Sequence, residues 1–508
     1  MTADTRSPDV VLILLDTLRA DRLSCYGHSA ETTPHLDAFA AESVLFERAI
    51  SPAQWTIPAH GSIFTGEWPT THGTTQIYDK HSIAYPTLAE HLAARGYRTA
   101  GFCNNPLLGV VENDLDRGFQ EFYNYGGVLP NRPDLNGRRR DLLQKMGRWA
   151  HKQLSRLNGP IQSIFTRDHA MLNLVLQPWL VAMWERNINF KGNTRQSVED
   201  VLGTLKQHSR QPDRPPLFVY LNLMETHLPY RTPVSFSRTF APTYHHDREA
   251  RAFMRGFNYR TYDWIAPVTE PFTDAQHRVL NEMYDAEVAY EDHLLQPLYA
   301  YLDRPAVRDN TLVIIASDHG EGLDHHGYIG HSLVVYEDLV RVPLVVRYPR
   351  LYPSGKRVET PISTRRIFHT VLDALHVGRE AVPPHGASAP EHDQVSPTST
   401  TPDDIAALTL RRSLNGHPPD DAVWAEAYPP ITLLKLIESR NPEAIDPFAC
   451  RAVRRTIYDG TTKLVTVDDA PAELYDLRSD PAELVNTITA QPGRAQALGH
   501  RLRPQGPG

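Results

Sequence analysis

The chain has 508 residues, of which 41% are hydrophobic and 22% charged, and its formal net charge is −8. This length and composition are typical of a soluble globular protein with two or three domains. The acidic balance argues against nucleic acid as the main partner, because binding to a phosphate backbone usually shows as a basic excess. No uncharged apolar run approaches the ~20 residues that a membrane span needs.

The N-terminus and the cysteines indicate a compartment. Residues 1–8 lack the basic start and apolar middle of a signal peptide. The three cysteines are too few and too scattered for a disulfide framework or a thiolate metal site. The sequence therefore predicts a cytoplasmic protein.

Strands and helices alternate along much of the chain. Asp9–Leu15 is a continuous apolar run, typical of a strand that is buried on both faces. Further strands are predicted over residues 44–46, 97–102, 217–223 and 311–317, and helices from residue 34, over 87–96 and over 273–301. The alternation predicts an α/β fold, with a mostly parallel sheet and helices on both faces.

Thr56 stands at the start of a predicted helix. Pro58 suits the first turn of that helix and Gly66 suits its end. A hydroxyl at Thr56 would face the free N–H groups and the positive end of the helix dipole, which favour an anionic substrate and an ionised nucleophile. The same position also suits a threonine that merely caps the helix. This stretch alone leaves both interpretations open.

Polar residues follow two of the buried strands. Asp16 ends the first strand, and Asp318 and His319 follow the strand over 311–317. The carboxyl ends of parallel strands are where α/β proteins place their chemistry, although Asp-His-Gly also makes an ordinary turn. With the Thr56 hydroxyl, these side chains suit one divalent ion of Mn, Mg, Ca or Zn, and their spacing does not choose among the four.

Several motifs occur in one order. They are VVLILLDTLRADRLSCYG, TTPHLDAFAAESVLFERAISPAQWTIPAHGSIFTGEWPTTHG, IIASDHGEGLDHHGYIGHSLVVYEDLVRVPLVVRYP and the C-terminal AELYDLRSDPAELVN. This set resembles the sulfatase family of the alkaline phosphatase superfamily. The resemblance covers nearly the whole chain except residues 127–215 and 381–404. It implies an alkaline-phosphatase-like fold.

The resemblance also implies roles for individual residues. It places Thr56 where sulfatases carry the residue that is oxidised to formylglycine, and His60 where they carry an arginine. His331 stands where many carry an anion-binding lysine, and His227 matches the histidine of a His-x-Pro-Tyr segment. The implied metal ligands are Asp16, Thr56, Asp318 and His319, and the implied catalytic residues are Thr56, His60, His227 and His331.

Three departures from the family pattern bear on the mechanism. Threonine cannot become formylglycine, so Thr56 is expected to act as the nucleophile itself. Thr17 stands where sulfatases usually have a second acidic ligand. Leu223 stands where the two-metal enzymes of the superfamily need an acidic residue. One metal ion is therefore expected, as in the superfamily's phosphoglycerol and phosphoethanolamine transferases.

These features predict a metal-dependent hydrolase that cleaves a phosphate, phosphonate or sulfate ester through a threonine nucleophile. The substrate is expected to be an anionic ester of a small molecule or a glycan, with phosphorus esters turned over better than sulfate esters. Two alternatives remain open: a phosphoryl-group transferase of the same superfamily, and a non-catalytic binding protein that kept the fold. The transferases usually lie behind a membrane span, which favours the hydrolase here.

The predicted domains are a catalytic domain over residues 1–375 and a smaller C-terminal α+β subdomain over 376–508. The first carries a helical insertion at about 127–215, and the second a Pro/Ser/Thr-rich loop at about 381–404. The basic, aromatic insertion suits either contact with an acidic substrate or membrane surface, or a solvated face over a local core. The oligomeric state is left open.

Overall fold

The computed structural model describes residues 7–126, 130–133, 135, 191–259, 267–268, 270–376, 401–416 and 422–502. Most of the predicted insertion and of the Pro/Ser/Thr-rich loop lie outside these residues. No helix of the described part is both long and apolar enough to cross a bilayer.

The largest sheet has eight strands in the order β12-β2-β11-β7-β1-β6-β4-β5. The strands of the main domain are β1 (Asp9–Leu15), β2 (Val44–Phe46), β3 (Ala49–Ile50), β4 (Arg98–Cys103), β5 (Glu121–Asn124), β6 (Leu217–Leu223), β7 (Thr311–Ala316), β8 (Gly322–Leu323), β9 (Ile329–Gly330), β10 (Arg341–Val342), β11 (Leu344–Arg347), β12 (Lys356–Val358) and β13 (Ile362–Ser363). In this order, the five consecutive strands from β7 to β5 pair parallel with one another. Only β11 is antiparallel to its neighbours, β7 and β2. The predicted mostly parallel sheet is confirmed.

Helices cover both faces of this sheet. They are α1 (Pro34–Ala41), α2 (Thr56–Thr65), α3 (Pro69–His72), α4 (Leu88–Ala94), α5 (Pro106–Gly109), α6 (Thr194–Ser209), α7 (Val234–Phe240), α8 (Pro242–His246), α9 (Arg248–Tyr259), α10 (Asp274–Leu302), α11 (Pro305–Arg308), α12 (Glu337–Val340) and α13 (Arg366–His376). Two predicted helices begin with capping boxes, α4 at Thr87 and α10 at Thr273, in which the cap hydroxyl and the side chain three residues on satisfy each other's backbone N–H groups.

Strand β1 is buried on both faces, which explains why its sequence is continuously apolar. Val11, Ile13 and Leu15 pack into one hydrophobic cluster, which includes side chains of α10. The alternate residues of the strand, such as Leu12, pack into a second cluster with α2 and α13. Because successive side chains of a strand point to opposite faces, both sets need apolar residues.

Helix α6 occupies the C-terminal part of the stretch predicted as an insertion. It packs against β4, β6 and α10. Its buried residues include Val198, Val201 and Leu205, and they join the same cluster as one face of β1. Residues 194–209 are therefore part of the helix layer on the sheet, so the alternation of strands and helices resumes earlier than the sequence predicts.

The C-terminal residues form a separate four-stranded antiparallel sheet. Helix α14 (Pro402–Leu408), which precedes this sheet, packs on α13 of the main domain. The strands of the sheet are β14 (Val423–Ala427), β15 (Arg454–Asp459), β16 (Thr462–Val467) and β17 (Ala470–Asp476), and its helices are α15 (Ile431–Arg440) and α16 (Pro492–Arg501). Strands β15 and β16 form a hairpin, which turns at Gly460 with a φ of 62°. The sheet meets the main domain next to the Thr56 segment, where Glu426 N donates to Pro52 O over 3.0 Å.

Candidate active site

The ends of the central strands bring distant residues to one edge of the sheet. Leu15, the last residue of β1, lies opposite Leu223 of β6, and Cys103 of β4 lies opposite Asn222. The residues that follow these parallel strands therefore leave the sheet on the same side. Asp16, Asp318 and His319 lie there, with ligand atoms within 4.8 Å of one another.

Each of the two aspartates has one oxygen that makes no hydrogen bond within the described residues. Asp16 Oδ2 accepts a hydrogen bond from Asn105 Nδ2 over 2.7 Å, and Asp318 Oδ1 accepts one from His319 N over 3.0 Å. Asp16 Oδ1 and Asp318 Oδ2 are fully buried and have no hydrogen-bond partner among the described residues. A buried carboxylate oxygen without a partner is costly, and a bound cation is the usual compensation.

His319 completes this arrangement with a defined tautomer. Its Nδ1 donates to Gly320 O over 2.9 Å, so the lone pair lies on Nε2. Nε2 is 3.7 Å from Asp16 Oδ1 and 3.5 Å from Asp318 Oδ2. Metal-binding histidines typically donate their other ring N–H to such a carbonyl.

Thr56 is the first residue of α2 and is buried. Its Oγ1 lies 3.3 Å from His319 Nε2 and 3.4 Å from Asn105 Nδ2. Trp55, not Thr56, occupies the cap position, and no side-chain hydrogen bond caps the helix there. The side chain of Thr56 thus faces the carboxylate cluster, and the alternative of a simple cap does not describe its contacts.

Electrostatics at this cluster favour a bound cation. Burial raises the pKa of Asp16 to about 6 and, together with the neighbouring Asp16, raises the pKa of Asp318 well above its ordinary value. Burial also lowers the pKa of His319, which keeps that ring neutral. A divalent metal ion suits this set of two buried carboxylates, a neutral imidazole and a hydroxyl. Its positive charge would stabilise the ionised form of both aspartates.

Thr17 and Leu223 are consistent with the expectation of a single ion. Thr17 has a φ of 63°, and its hydroxyl donates to Asp16 O over 2.6 Å and lies 3.3 Å from Thr226 Oγ1. Leu223 belongs to the hydrophobic core. In the part of the chain that the structure describes, Asp16, Asp318 and His319 are the one group that could hold a metal.

His60 lies behind Thr56, on the same helix. Its Nδ1 donates to Thr56 O over 2.9 Å, and its Nε2 is 2.8 Å from the Tyr220 hydroxyl. Burial lowers the pKa of His60 to about 4, so the ring is neutral at ordinary pH. The geometry therefore makes His60 a support for the first turn of α2, and it does not supply the cation that the arginine of sulfatases would.

His331 lies next to His319, and His227 lies next to His331. The His331 ring is 4.4 Å from that of His319 and 5.0 Å from that of His227, between centroids. His331 Nδ1 bonds to Glu321 Oε1 over 2.8 Å, and although burial opposes it, Glu321 raises the pKa of His331. His227 Nδ1 donates to Leu228 O over 2.8 Å, and burial and His331 lower the pKa of His227 to about 3. His331 is thus paired with a carboxylate.

Sequence reasoning missed two residues of this site. Asn105 follows β4 and contacts both Asp16 and Thr56, and Glu321 follows His319 and holds His331. Asn105 could have been found, because it is a polar residue shortly after a predicted strand, two residues beyond the end of β4. Glu321 lies in the same sequence motif as Asp318 and His319, but its pairing with His331 is seen only in three dimensions.

Comparisons with known proteins bear on the family and the fold. The family model described as Sulfatase matches residues 8–377. The choline-sulfatase of Rhizobium meliloti is 22% identical over 504 residues, covering 95% of this chain and 82% of that protein. The fold is also similar to the crystal structure of a phosphonate monoester hydrolase of Agrobacterium radiobacter, with a TM-score of 0.63, 22% identity, and coverage of 97% of this chain and 94% of that one.

A further solved structure has the same fold and was determined in complex with its substrate, D-glucosamine-2-N,6-O-disulfate. Its TM-score is 0.61 at 17% identity, and the match covers 97% of each chain. At this level of identity the similarity concerns the fold.

Proposed function

The chain belongs to the sulfatase family of ester hydrolases, and from this premise we propose that it hydrolyses an anionic ester through Thr56, with one divalent metal ion. The observation that carries the proposal is the position of Thr56 Oγ1, 3.3 Å from His319 Nε2, in a buried cluster where two carboxylate oxygens make no hydrogen bond to any described residue. A hydroxyl at this place is suited to nucleophilic attack, because it lies beside both a metal-ligand set and a helix N-terminus.

Asp16, Asp318, His319 and Thr56 would hold the ion, which is Mn, Ca, Mg or Zn. When bound, such an ion lowers the pKa of a coordinated hydroxyl and neutralises charge on the transferred group. The protein's own contribution is to hold Thr56 Oγ1 against this cluster. Asn105 Nδ2, 3.4 Å away, is placed to donate to the oxygen as it gains negative charge.

The remaining polar groups suit an anionic substrate. The N-terminus of α2 provides backbone N–H groups and a positive dipole end. His331, which is held by Glu321, is placed to bind an oxygen of the substrate or to protonate the leaving group. His227 lies next to it and would contact the same group. The organic part of the substrate is proposed to be a small molecule or a glycan.

We further propose that phosphorus esters, particularly diesters and phosphonate monoesters, are the better substrates. In a formylglycine enzyme the covalent sulfate leaves when a carbon–oxygen bond breaks and the aldehyde reforms, and a threonine ester has no such route. Water must instead attack the central atom of the adduct and displace Thr56 Oγ1 as an alcohol. Phosphoryl chemistry performs such in-line displacements readily with metal assistance.

The test is a parallel assay of an aryl sulfate, a phosphate monoester, a phosphate diester and a phosphonate monoester, each with Mn²⁺, Zn²⁺, Ca²⁺ and Mg²⁺. Mass spectrometry of the peptide that contains Thr56, after rapid quenching, then looks for a covalent adduct. We expect preference for the diester or phosphonate and a phosphorus adduct on Thr56. A clear preference for the aryl sulfate, with no covalent adduct on Thr56, would contradict this proposal and indicate a sulfate ester hydrolase.

A further inference from the structure

A lysine is fully buried at the junction between the C-terminal sheet and the main domain. Lys463 lies on β16, and its Nζ is 2.8 Å from Glu483 Oε1 and 3.1 Å from Glu337 Oε1. Burial acts to lower the pKa of Lys463, but the two carboxylates raise it above its ordinary value, so the ammonium stays charged. Buried ion groups contribute little net stability, whereas removing one partner leaves an uncompensated charge.

Glu483 connects this lysine to the backbone of the main domain. Its Oε2 accepts a hydrogen bond from Glu337 N over 2.6 Å. Glu483 has a φ of 56°, a left-handed conformation that is uncommon for a side chain of this size. Glu337 is the first residue of α12, and its own carboxylate accepts from the Tyr458 hydroxyl over 2.6 Å. The C-terminal sheet therefore holds the start of α12 through both backbone and side chain.

Helix α12 is also where two segments of the active site are attached. Gly320 N donates to Leu339 O over 2.7 Å, and Glu321 N donates to Asp338 O over 3.1 Å. These donors directly follow His319, and Glu321 holds His331. On the other side, Ser51 N donates to Val340 O over 2.7 Å in the segment that leads to Thr56. Three successive carbonyls of α12 thus accept hydrogen bonds from the loop that follows His319 and from the segment that leads to Thr56.

Helix α12 and the loop that follows His319 are in direct backbone contact. A Cβ on Gly320 would lie 2.0 Å from Asp338 O, so the two backbones touch. Arg19 also links α12 to this loop, because it donates to Asp338 Oδ1 over 3.1 Å and to Glu321 O over 3.1 Å. A displacement of α12 would consequently move the loop that carries His319.

We propose that the Lys463–Glu483 pair positions the metal site from the C-terminal subdomain. By fixing the first residue of α12, the pair fixes the backbone to which the His319 loop and the Thr56 segment are hydrogen-bonded. Among the described residues, neither side chain bonds to a candidate ligand, so both are positioning residues. The inference rests on the proposed function in one respect, that this site binds a divalent cation.

The test compares Mn²⁺ binding to the full-length wild type, Lys463→Met and Glu483→Gln by titration calorimetry, with the EPR spectrum of bound Mn²⁺ as a second readout. We expect the affinity to fall about 10-fold or more, as when groups that orient metal ligands are removed, and the spectrum to change. Lys463→Met leaves two buried carboxylates without their cation and can fail to fold. Glu483→Gln keeps the shape, but its single carbonyl oxygen can serve only one of the donors Lys463 Nζ and Glu337 N.

Leu498→Ala is the matched control. Leu498 of α16 packs with Leu464 and Leu474 in the C-terminal core, so its truncation weakens the same subdomain without changing the contacts of Glu337. Thermal unfolding in EDTA matches the variants for stability, and we expect Leu498→Ala to keep wild-type Mn²⁺ affinity. Wild-type affinity in Glu483→Gln, or an equal loss in Leu498→Ala, would show that the pair serves stability alone. A wild type that binds no divalent cation would reject the metal-dependent function as well, which is a different result.

Discussion

The side-chain amide of Asn105 is bonded at both ends, and one of these bonds fixes Asp16. Nδ2 donates to Asp16 Oδ2 over 2.7 Å, while Oδ1 accepts from Leu107 N over 2.9 Å at the start of α5. Because the helix fixes the oxygen, the nitrogen is fixed too, and it leaves Asp16 Oδ1 directed at the cluster of candidate ligands. Asn105 thereby acts on the metal site and on Thr56 from one position.

Replacing Asn105 with serine separates these two tasks. Serine keeps a cap for α5 but removes the donor to Asp16 and Thr56. We expect kcat/KM to fall about 10- to 100-fold, or about 1.4–2.7 kcal/mol in the activation free energy, with near-normal thermal stability. Asn193→Ser is the control, since Asn193 caps α6 in the same way. Unchanged turnover in Asn105→Ser would reduce Asn105 to a helix cap.

Thr56→Ala should abolish turnover and leave the fold intact. The side chain contacts His319 and Asn105 and makes no capping bond, so its loss removes the nucleophile with little cost in packing. We expect a fall in kcat/KM on the order of 10³-fold or more. Thr56→Ser keeps the hydroxyl and should retain measurable activity, with the adduct moved to the serine. Near-normal turnover in Thr56→Ala would instead point to water as the nucleophile.

Metal removal should be visible in stability. A cation that binds only the folded state stabilises it, by about 2.7 kcal/mol at 100 times its dissociation constant. We expect Mn²⁺ to raise the Tm of EDTA-treated protein, and Asp318→Asn to remove most of this increase. Asp200→Asn is the control, because Asp200 is also buried but bonds to Tyr125 and Arg132. An increase that survives in Asp318→Asn would place the cation elsewhere.

His331→Gln should slow substrates with poor leaving groups more than those with good ones. A general acid matters most when the leaving oxygen is basic, and general acid catalysis contributes typically about 10²–10⁴-fold. We expect a large loss for an alkyl ester and a small one for a nitrophenyl ester, measured as kcat/KM across a leaving-group series. His28→Gln, which removes a histidine paired with Asp285 outside the site, should change neither. An equal loss for all esters would make His331 a binding residue only.

The Lys463–Glu483 pair extends the site beyond the catalytic edge of the sheet. The C-terminal motif AELYDLRSDPAELVN contains Glu483, which lies far from Thr56 in sequence yet is connected to it through α12 and Ser51. On this proposal the C-terminal subdomain positions the active site, since it fixes the backbone to which the His319 loop is hydrogen-bonded.

Local patterns by themselves determined much of this protein. The apolar run Asp9–Leu15 predicted a strand buried on both faces, and the polar residues after it and after β7 predicted a shared edge, because parallel strands end together. Pro58 and Gly66 gave the extent of α2 to within two residues. These features depend on neighbours in sequence, and for that reason they could be predicted without coordinates.

Only the tertiary structure decided which polar side chains are charged and what holds them. The resemblance implied a catalytic role for His60, but complete burial lowers its pKa to about 4 and keeps the ring neutral, and this burial is not encoded within its own helix. Asn105 became part of the site through contacts with Asp16 and Thr56, across 89 and 49 residues of chain. Lys463 and Glu337 likewise meet across 126 residues. Such pairings follow from how the sheet edge, α12 and the C-terminal sheet pack together, and packing between distant segments leaves no local pattern in the sequence.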